Sequence, residues 1–229
     1  MPSVVFDARA AMSLLQSFLD PSRSSLKICG VTLPGDAEQL ATLGITALGV
    51  NFWPMSKRHV DPDAAGWLRD LKGRILRVGV FVNQAAELPL RLIGEDLLDV
   101  VQLHGDETHA DARVFRDAGV PFIKAFGVSG RGGLDHATDF AADAILLDAH
   151  APGVYGGTGA KFDWNAAIDF KRDHPSIPII LAGGITPDNA ANAVATVRPA
   201  ALDVASGAEL SPGVKDFNKV KALLAALEC

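Results

Sequence analysis

The chain has 229 residues, 48% of them hydrophobic, and its 21 Lys and Arg against 27 Asp and Glu give a net charge of −6. This composition excludes a disordered or collagen-like chain, and the length suffices for a core that needs no disulfide or metal ion to stabilise it. The basic residues are dispersed along the sequence. We therefore expect neither nucleic acid nor an anionic membrane as a partner.

The two cysteines, Cys29 and Cys229, are too few for a disulfide framework and are typical of a reducing compartment. No run of about 18 apolar residues is present, and the N-terminus lacks the basic patch and apolar run of a signal peptide. These features predict a cytoplasmic protein with one main domain.

From about residue 26 the sequence repeats a unit that consists of a short apolar run, a polar or glycine-rich stretch and an amphipathic helical stretch. Most of the apolar runs lack a clean alternation with polar residues, which is typical of parallel strands covered on both faces. The predicted strands are residues 26–32, 47–52, 75–82, 100–105, 122–128, 144–149, 179–184 and 201–207.

Helical stretches lie between the predicted strands, and several begin with a start signal such as Asp61-Pro62, Asp163 or Thr186-Pro187. The predicted helices are residues 36–43, 62–71, 107–118, 164–173, 187–197 and 214–227.

Eight strands at a spacing of roughly 25 residues predict an α/β fold, a (β/α)₈ TIM barrel that forms the catalytic domain, residues 26–229. An open doubly wound sheet is the alternative, but such sheets usually have fewer strands. Residues 1–25 form an N-terminal extension, in which residues 10–19 can form a short amphipathic helix. We expect this extension to pack on the outside or the bottom of the barrel, or to be partly disordered.

Reactive groups of a parallel barrel lie at the carboxyl ends of its strands, where the last two predicted strands carry Gly183-Gly184 and Ser206-Gly207. Either glycine turn alone more often serves only backbone geometry. Together, on the seventh and eighth strands, they predict a phosphate site built from backbone N–H groups. The glycine-rich stretch 156–161 lacks the spacing of a nucleotide-binding loop, and we expect it to be a mobile lid.

Two residues with acid–base chemistry end predicted strands, Cys29 the first and Asp148 the sixth. A thiol becomes a base when neighbouring charge favours its thiolate, and a carboxyl group in a water-poor mouth can act as an acid. The competing interpretation of Cys29 is a small buried hydrophobic residue. Arg58, in the loop after the second strand, could grip a carboxylate with two hydrogen bonds, although basic loop residues are more often merely solvated.

In this order, the segments from Lys27 to about Asp216 resemble the phosphoribosylanthranilate isomerase family of tryptophan biosynthesis. The resemblance covers most of the chain, and it depends on several unrelated motifs that occur in barrel order. They are Lys-Ile-Cys-Gly-Val-Thr (27–32), Ser-Lys-Arg (56–58), Val-Gly-Val-Phe-Val-Asn (78–83), Val-Gln-Leu-His-Gly-Asp-Glu (101–107), Leu-Leu-Asp (146–148), Gly-Gly-Thr-Gly to Phe-Asp-Trp (156–164), Leu-Ala-Gly-Gly (181–184), and Asp203 to Glu209 followed by Pro-Gly-Val-Lys-Asp (212–216).

The family catalyses an Amadori rearrangement, which converts the phosphoribosylamine of anthranilate into a 1-deoxyribulose 5-phosphate derivative without a metal or a redox cofactor. The resemblance implies that Asp148 protonates the ring oxygen of the sugar and that Cys29 removes the proton from the adjacent sugar carbon. It also implies that Arg58 holds the anthranilate carboxylate.

The resemblance places the 5-phosphate on backbone amides around Gly183, Gly184, Ser206 and Gly207. It further implies that two more residues face the site in supporting roles, orienting Cys29 or adjusting its charge; these are His104 and Asp203. The substrate is then a phosphorylated small molecule, and the enzyme is a monomer or a homodimer.

Two features depart from the family pattern. Ala205 stands where the family commonly has a serine, which removes one hydroxyl contact and weakens phosphate binding by about 1.5–3 kcal/mol at most. The loop 51–55 has a bulkier and more polar composition, which can reshape the anthranilate pocket. Neither departure touches the two residues that the resemblance assigns to catalysis.

Strand alternation leads to a further expectation about Lys27. If Cys29 points to the mouth, Lys27 points into the barrel one layer below, where an ammonium group needs a partner. We expect an ion pair with Asp203, and the alternative is that Lys27 extends its ammonium group to an edge of the barrel.

Two other functions remain open from the sequence. One is a related isomerase of an aminoimidazole ribonucleotide, whose members use two carboxylates, so that the cysteine argues against it. The other is a barrel that binds a phosphorylated ligand without turnover, against which the presence of both Cys29 and Asp148 argues.

Overall fold

The computed structural model describes residues 8–128, 134, 136–149 and 164–227. Eight parallel strands close into a barrel, in which each strand is hydrogen-bonded to the next and the last pairs with the first. The strands are β1 Ser25–Cys29, β2 Ala47–Asn51, β3 Leu76–Phe81, β4 Val100–Leu103, β5 Phe122–Val128, β6 Ala144–Ala149, β7 Ile179–Leu181 and β8 Ala201–Val204. The predicted barrel is therefore confirmed.

Helices surround the barrel and alternate with its strands. The α-helices are α1 Ala8–Phe18, α2 Pro34–Thr42, α3 Glu87–Gly94, α4 His109–Asp117, α5 Trp164–Asp173, α6 Pro187–Val197 and α7 Phe217–Leu227. Segment Pro62–Leu71 is a 3₁₀ helix, capped at its start by the Asp61 carboxylate, which accepts the N–H of Asp63. No helix among the described residues combines the length and apolarity needed to cross a bilayer.

Several predicted boundaries were wrong by a few residues. The strands predicted at 26–32, 179–184 and 201–207 end earlier, because their last residues form the loops at the mouth. The helix predicted from residue 214 begins at Phe217, since Glu209–Ser211 and Val214–Lys215 form a small antiparallel pair, β9 and β10. Helix α3 was not predicted, because its eight residues include Pro89 and show no start signal.

The barrel interior has an apolar lower half. Inward side chains near the starts of the strands form one cluster, which also includes Leu15 and Phe18 of α1. Both side chains are buried, so α1 covers the amino-terminal end of the barrel. Burial of two such side chains stabilises the fold by about 1.5–3 kcal/mol each. Of the expected placements of the extension, on the outside of the barrel, at its bottom or partly disordered, α1 takes the one at the bottom.

Outward-facing charges on the barrel are buried and paired. Arg77 of β3 donates to the carboxylate of Asp99 at 2.7 Å, and Lys124 of β5 donates to that of Glu107 at 2.8 Å. The Glu107 carboxylate also accepts the N–H groups of Asn83 and Gly105. The bonds of Glu107 fix the loops after β3 and β4 at the mouth of the barrel.

Candidate active site

The inward direction of Cys29 follows from the register of its strand. Lys27 is paired with Ala47 and Cys29 with Gly49, and Ala47 belongs to the interior cluster. Because side chains alternate along a strand, Lys27 and Cys29 both point into the barrel. Cys29 is the last residue of β1 and therefore lies at the mouth.

Asp148 occupies the corresponding place on β6. It follows the interior residues Ala144 and Leu146 at the same alternation and precedes the last residue of the strand. Strands β1 and β6 are separated by β7 and β8 in the closed sheet. The thiol and the carboxyl group therefore lie on different sides of one opening.

Lys27 and Asp203 form an ion pair below Cys29. Their strands are neighbours with these two residues in register, and Nζ of Lys27 lies 2.9 Å from Oδ1 of Asp203. The Lys27 side chain is completely buried. The expected ion pair is thus confirmed, and Lys27 does not extend to an edge.

The Cys29 thiol is only partly exposed and lies against Lys27. A methyl group on Gly49 would be 2.9 Å from Sγ of Cys29 and 3.0 Å from Nζ of Lys27, so a larger residue at this position of β2 would displace these two side-chain ends. Loss of hydration raises the pKa of the thiol above its ordinary value of 9.0, and the charge of Asp203 raises it further, while Lys27 and Lys215 act in the opposite direction. Burial and Asp203 together therefore shift the equilibrium of Cys29 toward its thiol form.

A second buried ion pair reaches Cys29 from the β9–β10 segment. The Lys215 ammonium group donates to the carbonyl oxygen of Cys29 at 2.6 Å and to Oε1 of Glu209 at 2.7 Å. The same Glu209 carboxylate accepts three hydrogen bonds from Arg58, from Nε at 2.8 Å and 3.1 Å and from Nη2 at 2.7 Å. This network joins Arg58 to the end of β1.

Arg58 is therefore fixed by its ion pair with Glu209 and is not a solvated loop residue, since only 14% of its side chain is exposed. Within the described residues Nη1 of Arg58 donates no hydrogen bond, since Nε and Nη2 serve Glu209. A methyl group on Gly30, whose φ is +72°, would lie only 2.2 Å from Cδ of Arg58. The guanidinium group is therefore packed against the turn that follows Cys29.

His104 lies beside Asp148. Its Nε2 is 3.4 Å from Oδ2 of Asp148, although β4 and β6 are not neighbours in the sheet, so that the contact is made across the barrel interior. Its Nδ1 is 2.8 Å from the amide nitrogen of Gln102. Sequence analysis gave His104 a supporting role toward Cys29; its contacts in the structure are with Asp148 and Gln102.

The predicted phosphate loops meet at the same end of the barrel. Gly183 and Gly184 follow β7 with φ of +79° and +67°, values that favour glycine, and they lead into α6, whose first turn is capped by Thr186. Gly207 lies in the 3₁₀ turn Ser206–Ala208 after β8, where a Cβ atom would be 2.0 Å from the carbonyl oxygen of Ile185. The two loops are thus packed backbone to backbone. Helix α6 begins at Pro187, which has no N–H group. The backbone N–H groups that can bind an anion here therefore belong to the glycine loop before α6 and to the 3₁₀ turn.

Three residues of this site received no role from the sequence, although each lies in a motif that was noted: Gln102, Glu209 and Lys215. Gln102 has the same alternation as His104, which was a usable signal of its inward direction. Glu209 and Lys215 gave no such signal, because the contact of Glu209 with Arg58 and that of Lys215 with Cys29 span 151 and 186 residues of the chain.

The 156–161 loop, the predicted helix-start residue Asp163 and Cys229 lie outside the described residues. Among the described residues, no group of three or more His, Cys, Asp or Glu side chains is placed to hold a metal ion.

Comparison with known proteins identifies the family of this barrel. The family model described as N-(5'phosphoribosyl)anthranilate (PRA) isomerase matches residues 26–226. The N-(5'-phosphoribosyl)anthranilate isomerase of Citrifermentans bemidjiense is 43% identical over 203 residues, which are 88% of this chain and 96% of the relative.

Solved structures agree with the sequence relatives. The phosphoribosyl anthranilate isomerase of Thermotoga maritima superposes with a TM-score of 0.82 at 36% identity, over 90% of this chain and 98% of that protein. A complex of the same kind of enzyme with reduced 1-(o-carboxyphenylamino)-1-deoxyribulose 5-phosphate superposes with a TM-score of 0.77 at 33% identity, over 90% and 98% of the two chains. The chain belongs to the N-(5'-phosphoribosyl)anthranilate isomerase family.

Proposed function

We propose that this enzyme isomerises N-(5'-phosphoribosyl)anthranilate to 1-(2-carboxyphenylamino)-1-deoxyribulose 5-phosphate in tryptophan biosynthesis, with Asp148 as general acid and Cys29 as general base. The observation that carries the proposal is the placement of these two side chains, both inward and on different sides of the mouth, next to the glycine loops of β7 and β8. The family match and the solved complex with a reduced product support it.

In the first step Asp148 gives its proton to the furanose ring oxygen. The bond between that oxygen and C1 breaks, and the lone pair of the anthranilate nitrogen forms a double bond to C1, which yields a protonated imine. The Asp148 carboxylate that results lies 3.4 Å from Nε2 of His104, a group able to donate a hydrogen bond to it.

In the second step the Cys29 thiolate removes the proton from C2. The electron pair of that C–H bond forms the C1–C2 double bond of an enolamine, and the imine nitrogen becomes neutral. Tautomerisation then moves the proton of the C2 hydroxyl to C1 and produces the ketone. The substrate gains one proton from Asp148 and loses one to Cys29, so substrate and product are isomers and no oxidant or reductant is required. Proton exchange with water then returns Asp148 to its acid form and Cys29 to its thiolate.

Each remaining part of the site has a distinct substrate group in this proposal. Arg58, held by Glu209, donates to the anthranilate carboxylate. The 5-phosphate binds to backbone N–H groups around Gly183, Gly184, Ser206 and Gly207, while Asp203 acts through Lys27 on the charge near Cys29.

The test follows the intrinsic fluorescence of the anthranilate substrate. We expect Cys29→Ala and Asp148→Ala each to lose roughly 10²–10⁴-fold in turnover with substrate binding retained, and Arg58→Ala to raise mainly KM.

Cys229→Ala and Asp117→Ala are the matched controls, the latter on the exposed face of α4, and both should behave as wild type. Near-normal turnover of either catalytic variant would refute its role, and an unchanged KM for Arg58→Ala would count against the carboxylate contact.

We also propose that residues 1–25 form an extension to a catalytic domain of residues 26–229, and that the enzyme acts in the cytoplasm as a monomer or homodimer. A relative from Thermotoga maritima is described as dimeric. Sedimentation of the full chain distinguishes the two assembly states, and a larger oligomer would contradict this assignment.

A further inference from the structure

Gln102 is a polar residue inside the barrel that the proposed reaction does not use directly. It lies on β4 two residues before His104, its side chain is completely buried, and its amide nitrogen is 2.8 Å from Nδ1 of His104. Its neighbours in register are Val80 of β3 and Ile123 of β5. Gln102 therefore lies between two apolar residues in the wall of the barrel.

Burial of the Gln102 amide inside the barrel is energetically unfavourable. Within the described part of the chain, the Gln102 carbonyl oxygen Oε1 is buried and accepts no hydrogen bond. An apolar side chain of similar size would fill the same space without leaving a polar atom unsatisfied. The amide nitrogen, facing Nδ1, is the part of the side chain that an apolar residue would not supply.

The hydrogen bond determines which ring nitrogen of His104 carries the proton. With an N–H donor facing it, Nδ1 must be the acceptor, so the proton of the neutral ring is on Nε2, directed at Oδ2 of Asp148 at 3.4 Å. The opposite amide orientation would require the proton on Nδ1. The Nε2 lone pair would then face the carboxylate that Asp148 becomes after it donates its proton, which is a repulsive arrangement.

We propose that Gln102 is a positioning residue, which fixes the ring orientation and the Nε2–H tautomer of His104 so that His104 stabilises the Asp148 carboxylate as it forms. The proposal rests on the proposed function of Asp148 as general acid. It extends the site one layer into the barrel, from Asp148 through His104 to Gln102. Because the stabilised charge develops only during proton transfer, Gln102 affects kcat more than KM.

The experiment combines nitrogen NMR of the full chain, labelled with ¹⁵N in its histidine rings, with steady-state kinetics. His104→Gln assigns the His104 signals. In wild type we expect an unprotonated Nδ1 and a protonated Nε2. In Gln102→Leu and in Gln102→Met, which removes the amide with a different shape, we expect this preference to be lost, kcat to fall roughly 10- to 100-fold and KM to change less than about 3-fold.

Ile123→Val is the matched packing control, since it loosens the interior beside Gln102 without touching the hydrogen bond. It should retain both the tautomer and kcat. A protonated Nδ1 in wild type, an unchanged tautomer or unchanged kcat in a folded Gln102 variant, or an equal loss in Ile123→Val would each overturn the proposal. Wild type without isomerase activity would instead refute the proposed function, because the tautomer is measured independently of turnover.

Discussion

The Lys27 ammonium group and the Asp203 carboxylate lie 2.9 Å apart inside the barrel, in register on neighbouring strands and directly below the Cys29 thiol. Removal of one partner leaves a buried charge without compensation. We expect Lys27→Met to destabilise the fold by about 3–5 kcal/mol, and the double variant with Asp203→Leu to recover a large part of this. Urea unfolding measures both. Additive losses in the double variant would show that the two charges are not coupled.

The same pair affects the ionisation of Cys29. Burial and the charge of Asp203 raise the pKa of this thiol above 9.0, so the rate of alkylation by iodoacetamide should rise with pH and level off only above that value. The value of kcat/KM should rise over the same pH range, because a base acts in its deprotonated form. Asp203→Asn should move both curves to lower pH. A wild-type midpoint below that of the same thiol in the unfolded chain would contradict this assignment.

The raised pKa of the Cys29 thiol also makes the free energy of unfolding depend on pH. Cys29 ionises at lower pH in the unfolded chain than in the folded one. The contribution of its protonated thiol to the free energy of unfolding is therefore fully present below the pKa of the unfolded chain. It is lost as the pH rises toward the pKa of the folded one.

Glu209 should control substrate affinity through Arg58. Burial opposes ionisation of its carboxyl group, but the hydrogen bonds from Arg58 and the charge of Lys215 hold the pKa of Glu209 below 4.5. We expect Glu209→Gln to loosen the guanidinium group and raise KM about 5- to 10-fold with a smaller effect on kcat. The exposed pair of Glu38 and Arg74 supplies the control, and Glu38→Gln should leave KM unchanged.

The depressed pKa also predicts an acid limit. The ion pair contributes stability above the unfolded pKa of Glu209, and this contribution is lost as the pH falls through the lower folded value. Glu209→Gln should therefore flatten the fall in stability below about pH 4.5. If the free energy of unfolding of Glu209→Gln falls with pH as steeply as that of wild type, the acid sensitivity belongs to other carboxylates.

Gly30→Ala tests the packing of Arg58 against the turn after Cys29. The new methyl group would lie 2.2 Å from Cδ of Arg58, so the side chain must move away from its position at the mouth. Gly44→Ala is a matched control, because Gly44 has a similar φ of +77° and open space around it. Both variants should lose about 1–2 kcal/mol of stability, and only Gly30→Ala should raise KM. Equal kinetics in the two variants would disprove the steric explanation.

Gly207→Ala tests the contact between the two glycine loops. The added Cβ atom would lie 2.0 Å from the carbonyl oxygen of Ile185, and a backbone atom cannot move aside as a side chain can. We expect KM for the substrate and the inhibition constant of inorganic phosphate both to rise by about 10-fold or more. Gly35→Ala, which meets nothing within 4 Å, should change neither constant. A normal inhibition constant in folded Gly207→Ala would place the phosphate elsewhere.

The sequence predicted the barrel because its strands are covered on both faces and therefore appear as separate apolar runs. Alternation along β1 was enough to place Cys29 at the mouth and Lys27 below it, and the Lys27–Asp203 pair followed from the need to compensate a buried charge. These predictions depend on local rules, namely the period of a strand and the cost of burying an ammonium group.

The network around Arg58 could not be predicted in this way. Glu209 is brought to Arg58 by the β9–β10 pair, which was not predicted because β10 was taken as the start of a helix, and the hydrogen bonds join residues far apart in the chain. The contact of His104 with Asp148 likewise crosses the barrel between strands that are not neighbours. Neither contact leaves a periodic signal in the sequence.

Helix α1 lies outside the 26–226 stretch that the family model matches, yet its Leu15 and Phe18 belong to the interior cluster of the barrel. A chain truncated to residues 26–226 would lack these two side chains, and the apolar interior would be exposed to solvent at the end opposite the mouth. Truncated chains would then tend to aggregate through this exposed apolar surface, even with every residue around Cys29 and Asp148 intact.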